Sequence, residues 1–150
     1  MPSPDCFALL GLAPCFYIDL QALETAYFTQ QRLYHPDRFV GKSPAERQAA
    51  LYRSVDLNKA YETLKNPLSR AQYLLHLQGT QVGTDHDTVK PSQALLMEIM
   101  ELREEGVSKE VLERMIVESQ AHIAAHFLAS RFAEMAQETL RLGYLIKART

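Results

Sequence analysis

LYHPDRF, residues 33–39, sets a histidine, a proline and an aspartate side by side in the middle of a helical pattern. Upstream, Asp19 has the character of an N-cap, with Ile18 and Leu23 placed as a hydrophobic staple. Leu20, Leu23, Tyr27 and Tyr34 then fall on one face, so the spacing predicts a helix over about 20–34. Pro36 pushes His35 out of helical geometry and lacks a backbone donor, which ends that helix. Downstream, Ser43-Pro44-Ala45-Glu46 offers a capping serine, a proline at the first helical position and a glutamate able to complete a capping box. Ala50, Leu57, Tyr61 and Leu64 carry this second helix to about residue 65. The triplet is a corner between two long helices.

The same signals organise the rest of the chain. Asn66-Pro67 opens a shorter helix, with Ala71, Leu74 and Leu75 inward and Gly79 as its stop. TQVGTDHDTVKP, residues 80–91, is the best linker candidate, with its aspartates, glycine and proline. Ser92 starts a helix that Gly106 ends, Ser108 starts another to about 126, and a last one fills about 131–148. Period-two alternation never persists, so the expected fold class is all-α. Its expected form is a small N-terminal helical hairpin with short helices over 1–79, a linker over 80–91, and three antiparallel helices over 92–150.

Composition narrows the functional classes. With 150 residues, 47% of them hydrophobic, a buried core is expected. A net charge of −2 argues against a chain-wide binder of nucleic acid or anionic membrane. No apolar run approaches the roughly 18 residues of a membrane span. MPSPDCFALLGL has no basic opening and reads as neither signal nor transit peptide, which makes the cytoplasm the expected compartment. Cys6 and Cys15, with eight residues between them and no CxxC, exclude a disulfide framework or a four-cysteine zinc site. They read as free, mostly buried thiols of a reducing compartment.

Three uses of the corner are open on the residues alone. His35 could be a general base oriented by Asp37, although residues i and i+2 across a proline rarely converge on one ring nitrogen. A metal role is weaker: His76, His86, His122 and His126 supply one i, i+4 pair and no accompanying ligand pattern. The plain use is a polar connection between helices.

Residues 5–76 resemble a J domain, with a DCFALLGL entry, a long helix ending in HPD, a second long helix and a short one. His35, Pro36 and Asp37 match the HPD signature that J domains present to a DnaK-type chaperone. The resemblance implies that the loop and the preceding helix dock on the ATP-bound chaperone and favour ATP hydrolysis. Pro36 would fix the loop, and Asp37 would offer an acceptor-only carboxylate suited to a bidentate arginine. His35 would stabilise the loop and share in the contact. Arg32 and Arg38 would supply positive charge toward an acidic surface, or else are ordinary solvated charges. Gln30 and Gln31 stand where richer J domains often carry lysine or arginine, which implies either a weaker contact or a dedicated chaperone.

LLMEIMELREE, residues 95–105, holds more apolar surface than one buried side needs. On a helical wheel counted from Leu95, Ile99 and Leu102 lie close to the origin and form one stripe with it. Leu96, Met100 and Met97 make a second arc, with Glu104 within its span and Glu101 just beyond it. Either neighbouring helices enclose this arc, or it is a partner site of adaptable side chains rimmed by carboxylates. Residues 98–118 hold seven glutamates against Arg103, Lys109 and Arg114, a net of −4, which suits a solvated face or a basic client.

This segment, together with NPLSRAQYLLHLQG at 66–79, is similar to the HscB-type J-domain co-chaperones of iron–sulfur cluster assembly. That family delivers the scaffold protein IscU to the DnaK-type chaperone HscA. By matching position the resemblance implies IscU contact by Leu96, Met97, Met100, Glu101 and Glu104, with Tyr144 at the place of an aromatic on the last helix. It implies no catalysis, no cofactor and no metal; without a cysteine-rich extension, a zinc-bearing variant is not indicated. A general J-domain co-chaperone with a C-terminal oligomerisation bundle is the alternative.

Overall fold

Four of the expected helix starts are capped by the side chain that the sequence nominates, while the last helix follows Arg131 without a side-chain cap. Asp19 accepts from the amides of Gln21 and Ala22 at 2.9 and 3.3 Å, and Ser43 from Glu46 at 3.2 Å. Ser92 accepts from Leu95 at 3.1 Å and Ser108 from Val111 at 3.3 Å. Each such cap is worth about 1 kcal/mol, which fixes where the helices begin. A computed structural model describes residues 5–82 and 89–150. The helices among them are α1 (Cys6–Leu9), α2 (Leu20–Leu33), α3 (Pro44–Lys65), α4 (Pro67–Leu77), α5 (Gln93–Glu105), α6 (Lys109–Leu128) and α7 (Phe132–Arg149). A 3-10 turn spans Pro36–Phe39. No strand occurs among the described residues, and the chain is all-α. None of these helices is long and apolar enough to cross a membrane.

Residues fall into two compact units, Met1–Asn66 and Pro67–Thr150. In the first, α1 and α2 pack against α3. Phe7, Phe16, Leu23, Leu57 and Leu64 are almost wholly buried, each worth roughly 1.5–3 kcal/mol of removed apolar surface. Leu20 departs from the expected inward face and is exposed, because it is the first residue of α2 and overhangs its end. Neither Cys6 nor Cys15 forms a disulfide, and both are half-buried, less covered than their type suggests.

In the second unit, α6 and α7 form an antiparallel pair, with α4 and α5 each laid against α7. Ile116, Ile123, Met135, Leu142 and Leu145 are buried. Gly143 of α7 faces Leu68 of α4, where an added Cβ would stand 3.7 Å from a leucine methyl. The division between units thus precedes α4, whereas the sequence places it at 80–91, after that helix. An apolar stripe (Ala71, Leu74, Leu75, all buried) says that α4 is covered without saying by which helix. Residues 83–88 of the expected linker, with His86, lie outside the described residues, as do residues 1–4. α6 runs two residues beyond its expected end, and Ser130, at φ 56°, makes the turn into α7.

Candidate functional site

The corner is built by His35 itself. Its ring Nδ1 accepts the amide of Asp37 at 3.2 Å, so the imidazole caps the 3-10 turn that Pro36 begins. Nδ1 also lies 3.6 Å from the Asp37 carboxylate. A nitrogen already accepting an amide hydrogen cannot donate to that oxygen, so the approach is no ion pair. The side chain of Asp37 is 90% exposed and points into solvent. Arg32, in the last turn of α2, and Arg38, in the 3-10 turn, make no ion pair among the described residues.

Behind the corner, α2 is tied to α3 by a polar cluster. The Gln31 amide donates to Asn58 Oδ1 at 2.7 Å and to the Ser54 carbonyl at 3.2 Å, and accepts from the Ser54 hydroxyl at 2.8 Å. Tyr27 donates to Asn58 as well and stacks on Tyr61, with ring centroids 4.4 Å apart. Gln31 thus holds the end of α2 in register with α3, a role that its place beside Arg32 did not suggest. In front, a groove of about 670 Å³ is lined by Phe28, Gln31, Arg32, His35, Asp37 and Arg38. Phe28 is a residue that the motif alone misses. Continuing the helical wheel from the buried Leu23 would have found it, since Phe28, Arg32 and His35 all fall on the opposite side.

The second candidate surface is α5. Leu95 is buried and Ile99 and Leu102 are half-buried, as the first stripe of its wheel requires. Leu96, Met97 and Met100 are 47%, 56% and 59% exposed, so neighbouring helices do not enclose the second arc. Glu101 and Glu104 are exposed beside it. Tyr144 is half-buried, with the Arg103 guanidinium 5.6 Å above its ring and Leu102, Val107, Leu112 and Ala148 around a small cavity. The structure groups it with the inner side of α5 more than with the exposed arc.

Polar contacts along α7 keep α5 in place. Gln137 accepts from the Ser92 amide and donates to the Lys90 carbonyl, both at 2.8 Å. Arg141 donates to Glu98 at 2.9 Å and to Glu138 at 3.0 Å. Burial opposes the charge of Arg141, but the hydrogen bond and charge of Glu98, with those of Glu138, outweigh it and raise its pKa. Arg141→Ala would leave two partly buried carboxylates facing each other. A loss of about 1–3 kcal/mol follows, seen as a melting temperature lower by several degrees. Removing Glu98 as well should recover part of that loss, because the unpaired carboxylate goes with it.

His122, of the i, i+4 histidine pair, is exposed 3.6 Å from Glu138, and His126 is half-buried. Among the described residues no three His, Cys, Asp or Glu side chains gather as a metal site would need.

Comparison with known proteins gives the class first. The model of the DnaJ domain matches residues 5–73, so the HPD corner belongs to a J domain. Co-chaperone protein HscB of Proteus mirabilis (strain HI4320) is 50% identical over 101 residues, which cover 67% of this chain and 58% of that protein. The chain thus spans less than two thirds of that relative's length. Chaperone HscB from Vibrio cholerae superposes with a TM-score of 0.80 at 28% identity, covering 97% of this chain and 93% of that one. Human co-chaperone protein HscB gives 0.83 at 28% identity, covering 98% and 79%. The chain carries a J domain and is similar over most of its length to HscB co-chaperones. None of these relatives is named as an enzyme, which gives the general-base reading of His35 and Asp37 no support. The geometry agrees, because the nitrogen that would serve as base is spent on capping the turn.

Proposed function

We propose that this chain stimulates ATP hydrolysis by a DnaK-type, HscA-like chaperone and delivers to it the iron–sulfur scaffold protein IscU. The chaperone-facing residues are His35, Pro36, Asp37, Arg32 and Arg38. The scaffold-facing residues are Leu96, Met97, Met100, Glu101 and Glu104, with Tyr144 as an outlying member. Residues 1–79 serve the first task, 92–150 the second, and 80–91 connect them. The cytoplasm is the proposed compartment, and neither nucleic acid nor membrane is a partner.

One observation supports this reading above the others: the Asp37 carboxylate stands 90% exposed at the tip of a turn that its own neighbour caps. A carboxylate without an internal structural task, held on a rigid corner, suits bidentate pairing with an arginine of a partner. The exposed Leu96, Met97 and Met100 support the second half, since adaptable apolar side chains ringed by carboxylates suit a client surface. The same arc would also suit self-association of a general J-domain protein. Sedimentation at increasing concentration separates the two. Delivery predicts a monomer that shifts to a heavier species only when IscU is added; a dimer indifferent to IscU would favour the alternative.

A further inference from the structure

Phe28 is the feature of the groove that charge does not account for. Its side chain is 52% exposed, on the same face of α2 as Arg32 and His35. It faces away from the core because α2 places it about 140° round from the buried Leu23, while Tyr27, 5.4 Å away, is committed to Tyr61 and Asn58. Gln31, beside it in the groove lining, is held at both ends of its amide. The groove therefore has an apolar wall, one outward carboxylate and two arginines that no ion pair among the described residues engages.

We infer that Phe28 is a specificity-determining contact for the chaperone, accepting an aliphatic side chain that lies next to carboxylates on the chaperone surface. This rests on the chaperone-docking reading above. The occupant follows from charge and continuity. Arg32 and Arg38 flank the ring and favour acidic neighbours, while His35 and Asp37 make the groove continuous with the docking corner. An aromatic ring has only two side-chain torsions to fix on binding, so most of the gain from its burial survives as affinity. Recognition at this position is then apolar, and it resists salt where the arginine contacts do not.

The test is single-turnover ATP hydrolysis by the resident chaperone, titrated with the full-length protein and its Phe28→Ala, Phe28→Leu and Asp37→Asn variants. Phe28→Ala should raise the half-maximal concentration about tenfold while leaving the maximal rate unchanged. Phe28→Leu should restore most of the affinity, and the ratio of Phe28→Ala to wild type should hold from low to high salt. Phe28→Ala behaving as wild type while Asp37→Asn is silent would overturn this inference and leave the docking reading standing. A defect that disappears at high salt would overturn its apolar nature. Full stimulation by Asp37→Asn would overturn the docking reading and this inference with it.

Discussion

Asp37→Asn should abolish measurable stimulation of the chaperone's ATPase while leaving the protein as stable as the wild type. The two halves of that expectation have separate physical origins. Asp37 holds the turn through its backbone amide, which donates to His35, and asparagine keeps that amide. The carboxylate is 90% exposed and closes no internal ion pair among the described residues, so its replacement should shift stability by no more than about 0.5 kcal/mol. Binding is another matter. A carboxylate can accept two parallel bonds from a guanidinium, whereas an amide offers one acceptor and turns a donor toward the second position. Loss of one partner from a desolvated, hydrogen-bonded charge pair costs about 2–5 kcal/mol, or roughly thirtyfold and more in effective affinity. Steady-state hydrolysis with titrated co-chaperone reads the loss, and a thermal melt reads the unchanged fold. His35→Ala should behave differently: the loop loses its cap, so a fall in activity should come with local loosening.

Met100→Asp should remove scaffold binding almost completely, by roughly a hundredfold or more in Kd. The side chain is 59% exposed, set among Leu96, Met97 and the carboxylates of Glu101 and Glu104. Two effects compete. A new negative charge in a segment with a net of −4 adds long-range attraction for a basic client. It also places a charge where an apolar contact is to be desolvated, at a cost of several kcal/mol without a partner, against only a fraction of that gained at a screened rim. Desolvation wins. Leu96→Ala, which only trims the contact, should cost nearer tenfold. Calorimetric titration with IscU measures both, and neither change should unfold α5, because its hold on α7 runs through Leu95, Gln137 and Arg141 on the other side.

The parts of this architecture that were legible beforehand are those governed by nearest neighbours. Asp19, Ser43, Ser92 and Ser108 announce helix starts because a cap acts over three residues. Gly106, at φ 75° with its amide on the Leu102 carbonyl, announces the end of α5 in the same way. The second apolar arc of α5 follows from the helical repeat, but whether neighbouring helices cover it does not; the structure leaves it exposed. What escaped was nonlocal. That α4 packs against α7, that Arg141 reaches Glu98 from 43 residues away, and that Tyr144 lies under Arg103 depend on which helix faces which. Phe28 escaped for a different reason. An aromatic residue in a helix reads as core by type, and only its angle from Leu23 shows that it faces the corner.

Separate surfaces for the chaperone and the scaffold are the central claim, and one assay with all three proteins tests it most directly. Chaperone ATPase is measured with each single variant, with and without IscU, and IscU affinity is measured in parallel. Asp37→Asn should bind IscU as the wild type does and stimulate nothing. Met100→Asp should stimulate the chaperone alone as the wild type does and lose the further increase that IscU brings. If either substitution removed both activities in a folded protein, the two tasks would share one surface and the claim would be contradicted.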